Sequence, residues 1–577
     1  MDKMMLRFLT LISVLACPVV VVAQVFDEEF EHWPIDLRIH GRLLVAGRLE
    51  DPTILQRALR RVPRGSTTLL FDDHVPDATI AQYQRLFRDD VPSIPEGSEK
   101  TPDYLADKSA TQPVLTVIRS GGVTEQIGEL LTESDVFVWH ASPDATPADR
   151  TAQLEQPPAF ADYLARGKTL VLIGSVAELS AKYFYAELTA NPPEVVGLNL
   201  VTDCVLETGY QFDAANQSRL LSILAAHPRS VGIGLNDNTV LTLSGRRLSV
   251  TGTGGAMCLL LANERESIRS QTIFESRSRR QSEASTVVDL TQWRREAIDR
   301  TLPAFPPAEP AKPLLENGTL VIVGGGRTPP GLMERLVDLA GGPKEARMVY
   351  IPCSEDEEVS SKQQTVESWK RMGVAHATFI HTKDRHKANH DEEFLAPLKD
   401  ATGLWFGGGR QWNFSDSYYG TKAHELMKHV LRRGGVIGGS SAGASIQARY
   451  LARATPIENI DIMAPGYERG GLGFIDGVAI DQHFSQRGRQ KDMTLLVNRH
   501  PQLLGIGIDE ATAIVVQMSI AEVVGQGRVY FYDRNLPVYP DRPDYIALPA
   551  GSTFDLSERR VLSDASETPI PETTEMP

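Results

Sequence analysis

Along the second half of the chain, short unbroken apolar runs take turns with amphipathic ones. "TLVIVG" from Thr319, "ARMVYIP" from Ala346, "TGLWFGG" from Thr402 and "GVIGG" from Gly435 each read as a buried strand. Between the last two lies "HELMKHVLRR", His424–Arg433, in which Leu426, Met427, Val430 and Leu431 share one helical face. Continuous apolar strands separated by helices predict an α/β fold, with a parallel sheet covered on both faces. In such sheets chemistry gathers at the carboxyl ends of the strands.

The pattern occurs twice. Gly41–Leu59, "GRLLVAGRLEDPTILQRAL", aligns without gaps to Gly318–Leu336, "GTLVIVGGGRTPPGLMERL". Both read as strand, turn and amphipathic helix. His227–Gly254, "HPRSVGIGLNDNTVLTLSGRRLSVTGTG", aligns equally to His500–Gly527, "HPQLLGIGIDEATAIVVQMSIAEVVGQG". Between them "DVFVWHASP" faces "TGLWFGGGR", and "YLARGKTLVLIG" faces "VLRRGGVIGG". Several matches in one order predict a tandem duplication of a single α/β domain.

Composition sharpens this picture. The 577 residues exceed one ordinary core, so two domains are expected. With 42% hydrophobic and 23% charged residues the chain is ordinary for a globular protein. Its net charge of −15 has no basic block to set against it, which argues against nucleic acid as a partner. Lys3 and Arg7 precede "FLTLISVLACPVVVVA", with Val21-Val22-Ala23 as a small-residue cleavage site. Residues 1–23 are therefore expected to be a signal peptide for export to a periplasm or the exterior, leaving no stable membrane span. An uncleaved anchor, or lipidation at Cys17, is the alternative. Cys204, Cys258 and Cys353 are too scattered for a disulfide framework or a metal site, and are expected to be small buried hydrophobes. No metal or organic cofactor is implied. Residues 26–262 and 316–550 are the expected domains. Residues 263–315, first charged and then Pro-rich, are expected to link them, with one short helix around "LTQWRREAIDR". Residues 551–577 are expected to be a disordered tail.

Candidate chemistry concentrates in the second copy. Gly439-Ser440-Ser441-Ala442-Gly443 is a G-x-S-x-G string between the strand-like "GVIG" and the helix-like "ASIQARYLA". That is the setting of a nucleophile elbow, with Ser441 as nucleophile and the Ala442 N–H facing a reacting carbonyl. A plain Gly/Ser turn would carry the same string. In "DQHFSQRGR", Asp481–Arg489, His483 is placed as a general base or as a packing residue. Arg487 and Arg489 are spaced to grip one carboxylate, or are simply solvated. Either member of Asp509-Glu510 could orient the imidazole. The glycines of "FGGGRQWNF", Phe406–Phe414, would let backbone N–H groups approach an oxyanion.

Comparing the copies weighs these alternatives. At the register of the His-Pro/Gly-Ile-Gly alignment, His483 falls on Tyr210, Arg487 on Ala214, Arg489 on Asn216 and Glu510 on Asp237. "FGGG" faces "WHAS", and no G-x-S-x-G stands opposite Ser441. Shared positions are packing and turn residues, whereas those that differ are the ones chemistry would need. The expectation is a catalytic C-terminal copy and a non-catalytic N-terminal one that packs on it as a structural or substrate-docking partner.

"GSSAG", "DQHFSQRGR", "GIGIDEATA" and "FGGGRQ" together resemble the motifs of cyanophycinase and the other S51 serine peptidases, including aspartyl dipeptidase, over about residues 316–545. The resemblance implies a flavodoxin-like fold of the class I glutamine-amidotransferase type. It implies Ser441 as nucleophile and His483 as base, with Glu510 as acid and Glu458 and Glu468 in reserve. The N–H groups of Ala442 and of Gly408 or Gly409 would form the oxyanion site. Gln411, Asp481, Gln482, Arg487 and Arg489 match positions lining the cyanophycinase pocket. Cyanophycin is a poly-aspartate backbone with arginine on each side chain, and the enzymes release β-Asp-Arg dipeptides. Two positions depart: Asp492 replaces a third pocket arginine, and Arg410 stands where Asp is usual. The reading is an exported serine peptidase acting on cyanophycin or another Asp-containing peptide. The alternatives are a non-catalytic carboxylate- or peptide-binding scaffold, and an esterase, which motif order and the duplication disfavour. A homodimer is left open.

Overall fold

The computed structural model describes residues 41–60, 62, 65–88, 114–120, 127–142, 157–185, 194–276, 286–458 and 461–566. The expected signal peptide lies outside them. In the N-terminal half, β1 (Arg42–Ala46), β2 (Thr67–Asp72), β3 (Leu115–Ser120), β4 (Val136–His140) and β5 (Thr169–Ile173) are parallel neighbours. Next come β6 (Ala181–Tyr185), β7 (Glu194–Val196), β8 (Val201–Thr208) and β9 (Val231–Leu235) of a second sheet. Beyond them, β10 (Thr239–Ser244) and β11 (Arg247–Gly252) return to the first sheet, β12 (Gly255–Leu260) and β13 (Arg269–Phe274) extend the second, and β14 (Val287–Asp289) closes the first. The orders are β14-β11-β10-β1-β5-β4-β2-β3 and β13-β12-β9-β8-β6-β7.

The C-terminal half begins with β15 (Thr319–Val323), β16 (Arg347–Ile351), β17 (His376–Phe379), β18 (Gly403–Phe406) and β19 (Val436–Ser440). Then follow β20 (Ala448–Tyr450), β21 (Ile475–Gln482), β22 (Leu504–Ile508), β23 (Thr512–Gln517) and β24 (Ile520–Gly525). The last are β25 (Arg528–Tyr532), β26 (Ile546–Pro549), β27 (Thr553–Asp555) and β28 (Arg560–Ser563). Here the orders are β17-β16-β18-β19-β15-β23-β24-β27-β28 and β20-β21-β22-β25-β26. Numbered from its own start, each large sheet runs third, second, fourth, fifth and first strand, followed by an antiparallel hairpin.

The apolar runs become central strands because both faces are buried. Along β15, Leu320 and Ile322 enter one core cluster while Val321 and Val323 enter the other. Leu43/Val45 and Leu44/Ala46 divide the same way on β1. Alternate side chains of a strand point to opposite faces, so a helix layer on each side needs apolar residues throughout. The helix Lys422–Arg432 supplies part of one layer, burying Ala423, Met427, Val430 and Leu431 behind an N-cap from Thr421. Cys204 and Cys258 are buried in the N-terminal core.

Three segments differ from the sequence-based expectation. Residues 263–315 hold β13 and β14 besides the expected helix, Leu290–Asp299, so they are not a bare linker, and that helix is buried from Leu290 to Ile298. Its charged residues pair outside the helix: Arg294 with Asp203, Arg295 with Asp416, Glu296 with Arg269 and Arg300, and Asp299 with Arg469. Residues 553–563 of the expected tail pair as β27 and β28 against β24. The helix after Ser441 spans only Ala442–Ser445, because Ala448–Tyr450 enters a sheet beside β21. From residue 41 onward the described residues form one compact unit.

Candidate active site

The site forms where β15, β19, β21 and β22 end. β19 stops at Ser440, and Ser441 takes φ 57° and ψ −115° before the short helix begins. A serine in this region stores backbone strain of about 1–3 kcal/mol, retained where surrounding structure over-determines it. The bend closes because the motif's glycines allow backbone contact. A Cβ on Gly439 would lie 2.2 Å from the Gly443 carbonyl oxygen, and one on Gly443 would lie 2.1 Å from that of Phe406.

His483 follows β21 directly and also has positive φ, 49°. Its N–H donates to the Gly324 carbonyl at 2.7 Å, tying the ring's base to the end of β15. His483 Nε2 lies 2.9 Å from Ser441 Oγ, and Nδ1 lies 2.5 Å from Glu510 Oε1. A carboxylate only accepts, so Nδ1 carries the proton and Nε2 faces the serine hydroxyl as acceptor. Burial is the largest influence on His483 and lowers its pKa; Glu510 raises it, and Arg487 lowers it again. The net result is below the usual imidazole value, so the ring is neutral near pH 7.

The Asp509-Glu510 pair, ambiguous in sequence, separates in space. Glu510 meets the imidazole and its N–H donates to Gln486 Oε1 at 2.9 Å. Asp509 is buried and accepts from the N–H groups of Ser485 at 2.9 Å and Arg528 at 3.1 Å. Of the reserve acids, Glu468 accepts from Tyr450 Oη at 3.0 Å, and burial pushes its carboxyl up to about 7. Glu458 has positive φ in the loop ahead of Ile462.

Gly408 lies beside the elbow: a Cβ built on it would be 3.5 Å from Ser441 Cβ. Among the described residues, the N–H groups of Gly408, Gly409 and Ala442 donate to no internal acceptor.

The five expected pocket residues part company. Arg487 is exposed. Gln411 is fully buried and donates to the carbonyls of Ala452 at 2.9 Å and Arg453 at 2.5 Å. Asp481 is fully buried between Arg453, at 2.9 Å, and Arg489, at 2.8 Å. Arg489 also donates to the Gln482 carbonyl at 2.6 Å, and Gln482 is itself buried. The second arginine therefore braces the wall instead of standing open with the first. Asp492, the departure from the family pattern, pairs with Arg453 at 2.7 Å. Arg410 donates to the Pro456 carbonyl at 2.5 Å, while its own carbonyl accepts from Cys353 Sγ at 3.0 Å.

Sequence reasoning missed Arg453, Gln486 and Gly325. Gly325, at φ +107°, lies under the imidazole, where a Cβ would be 2.3 Å from His483 Cε1. Its signal was the glycine run after β15, where the aligned segment of the N-terminal half has only Gly47. Strand pairing also shifts the comparison of the two halves by one residue. Thr208 pairs with Leu235 as Gln482 pairs with Ile508, so His483 stands opposite Gly209 rather than Tyr210. By the same logic Ile173 and Ser440 correspond, and Ser441 stands opposite Gly174. Gly174 and Gly209 have φ of +78° and +65°, so the first half keeps both bends without the hydroxyl or the ring.

Residues 313–524 match the model of peptidase family S51. Over 226 residues, 38% of this chain and 82% of the relative, the chain is 29% identical to the cyanophycinase of Geminocystis herdmanii. With the cyanophycinase of Trichormus variabilis it shares 27% identity over 241 residues, 38% of this chain and 79% of the relative. Among solved structures, a peptidase from an acI-B1 Actinobacterium is 25% identical, with 41% of this chain and 97% of that one covered and a TM-score of 0.32.

Proposed function

We propose that this chain, related through residues 313–524 to the S51 peptidases, is an exported serine-type hydrolase that cleaves a peptide or β-aspartyl bond. The observation that carries the reading is the contact of a strained Ser441 with a neutral imidazole at 2.9 Å, held in turn by Glu510 at 2.5 Å. Ser441 Oγ attacks the carbonyl carbon as His483 Nε2 takes the hydroxyl proton. Negative charge then develops on the carbonyl oxygen, where N–H donors from Ala442 and from Gly408 or Gly409 stabilise it. Glu510 fixes the tautomer and stabilises the imidazolium, which returns its proton to the leaving amine. Water repeats the sequence on the acyl-enzyme.

The relatives are named cyanophycinases, so the β-aspartyl bond of cyanophycin, with release of β-Asp-Arg, is the first substrate to test. The exposed Arg487 is the group for a substrate carboxylate. Asp492, paired with Arg453, puts a negative charge where the resemblance expects a positive one, which favours a less acidic ligand than three arginines would. The same strand order in both halves supports a tandem duplication, with Gly174 and Gly209 leaving the first copy without nucleophile or base. Export rests on the leader-like residues 1–23.

The decisive experiment treats the purified protein with a fluorophosphonate probe, then with cyanophycin and with α- and β-Asp dipeptides. A phosphonyl adduct on Ser441, with hydrolysis abolished in Ser441→Ala, is the expected result. An unlabelled protein that hydrolyses none of the panel would leave the binding-scaffold alternative.

A further inference from the structure

The helix Trp412–Tyr418 follows the Gly407–Gln411 loop without a break, and all seven of its residues are buried. One of them, Asp416, is a fully buried carboxylate. Burial would push its carboxyl up, but the guanidiniums of Arg295 and Arg246 outweigh this and hold it well below the usual range. Both arginines belong to the N-terminal half. Arg246, in the turn between β10 and β11, forks to Asp289 at 2.6 and 2.9 Å and bonds Asp416 with its remaining nitrogen. It also lies over the Trp412 ring, 4.5 Å from the centroid, at the first turn of the helix. Arg295, itself fully buried in the helix Leu290–Asp299, bonds the other Asp416 oxygen, which also accepts from Tyr467 Oη at 2.9 Å.

The helix that bears Arg295 is anchored on both sides. The neighbouring Arg294 pairs with Asp203 of the N-terminal half at 2.6 Å, while Gln292 donates to Pro465 of the C-terminal half at 3.1 Å. A rigid element of the non-catalytic half thus delivers fixed charges to the one helix continuous with the glycine loop beside Ser441.

We propose that Arg246 and Arg295 are positioning residues: through Asp416 and Trp412 they hold the Trp412–Tyr418 helix, and with it the Gly408 and Gly409 N–H groups, against the nucleophile. The inference rests on the reading of those N–H groups as the oxyanion site. It gives the first copy a role in the reaction of the second without any group of its own at the reacting carbon.

The labelling rate of Ser441 by a fluorophosphonate tests it, because the probe's phosphoryl oxygen takes the place of the oxyanion. Arg295→Met is expected to slow labelling at least tenfold while leaving the acid limb of its pH profile, set by His483, in place. Arg295→Lys, which keeps a cation near Asp416, is expected to stay within threefold of the parent. The double variant Arg295→Met/Asp416→Asn removes the stranded charge, so it is expected to recover the parent's thermal midpoint but not its labelling rate. Recovery of both would show that the cluster serves folding alone and would overturn the inference, as would a folded Arg295→Met that labels at the parent's rate. If the parent itself takes no label, the reading of the site fails, which is a separate outcome.

Discussion

Gly325 offers the sharpest test of the site's geometry, because the ring above it leaves no room for one carbon. In Gly325→Ala the new Cβ would lie 2.3 Å from His483 Cε1 and 2.5 Å from Nε2, where ordinary contact is 3.4–4 Å. Gly325 is backbone-tied by its carbonyl, which accepts from the Ala511 N–H at 3.0 Å, so the imidazole must yield. A retreat of about 1 Å takes Nε2 out of hydrogen-bond reach of Ser441 Oγ, now at 2.9 Å. Misplacement on that scale costs about 100-fold in rate, and full loss of a general base costs about 100- to 10,000-fold. The substitution also strains the backbone at φ +107°, by about 1–3 kcal/mol. Gly373→Ala separates the two effects, since Gly373 has φ +83° and open space where its Cβ would go. Fluorophosphonate labelling and thermal denaturation should be measured on both. Both variants should lose stability, and only Gly325→Ala should lose labelling, by about two orders of magnitude. A folded Gly325→Ala labelled within threefold of the parent would refute the placement of the ring.

Three further outcomes follow from the electrostatics. Arg487 opposes protonation of His483, so Arg487→Gln should raise the imidazole pKa and move the acid limb of the labelling profile to higher pH. An unmoved limb would place the arginine's field elsewhere. Glu510→Gln removes the anion that favours the imidazolium, so the limb should move to lower pH while the rate falls by about 100-fold or more; Glu468→Gln should leave both within twofold. Glu468 has a folded pKa raised to about 7, so its contribution to stability is fully present below its unfolded pKa and is lost as pH rises toward 7. Thermal midpoints should therefore show Glu468→Gln stabilising the protein at pH 8, with little effect at pH 4.5.

The elements most legible in sequence were those set by local pattern. β15 and β19 are buried on both faces and have few alternatives to a central parallel strand, and the glycines around Ser441 announce a bend before any partner is known. The motifs that resemble those of S51 peptidases likewise brought Ser441, His483 and Glu510 to attention, and the fold places them in a chain of contacts. The helix Leu290–Asp299 was legible, but not its burial, because charge at Arg294, Arg295 and Glu296 carries no sign of the opposite charge that will meet it. The one-residue slip between His483 and Tyr210 has a similar cause, since an ungapped alignment counts residues whereas strand pairing counts hydrogen bonds.

From sequence alone came the buried strands and alternating helices of the C-terminal half, and the serine, imidazole and carboxylate that the fold brings into contact. Only the tertiary structure decided that Asp481 and Arg489 neutralise each other inside a wall and that the first half grips Asp416, and it brings Glu510 to the imidazole as the resemblance implies. Periodicity reports whether a side chain turns inward over a few residues. Ser441 and His483 are 42 positions apart and Arg246 and Asp416 are 170 apart, so their meeting depends on how whole sheets pack, a property that no local window contains.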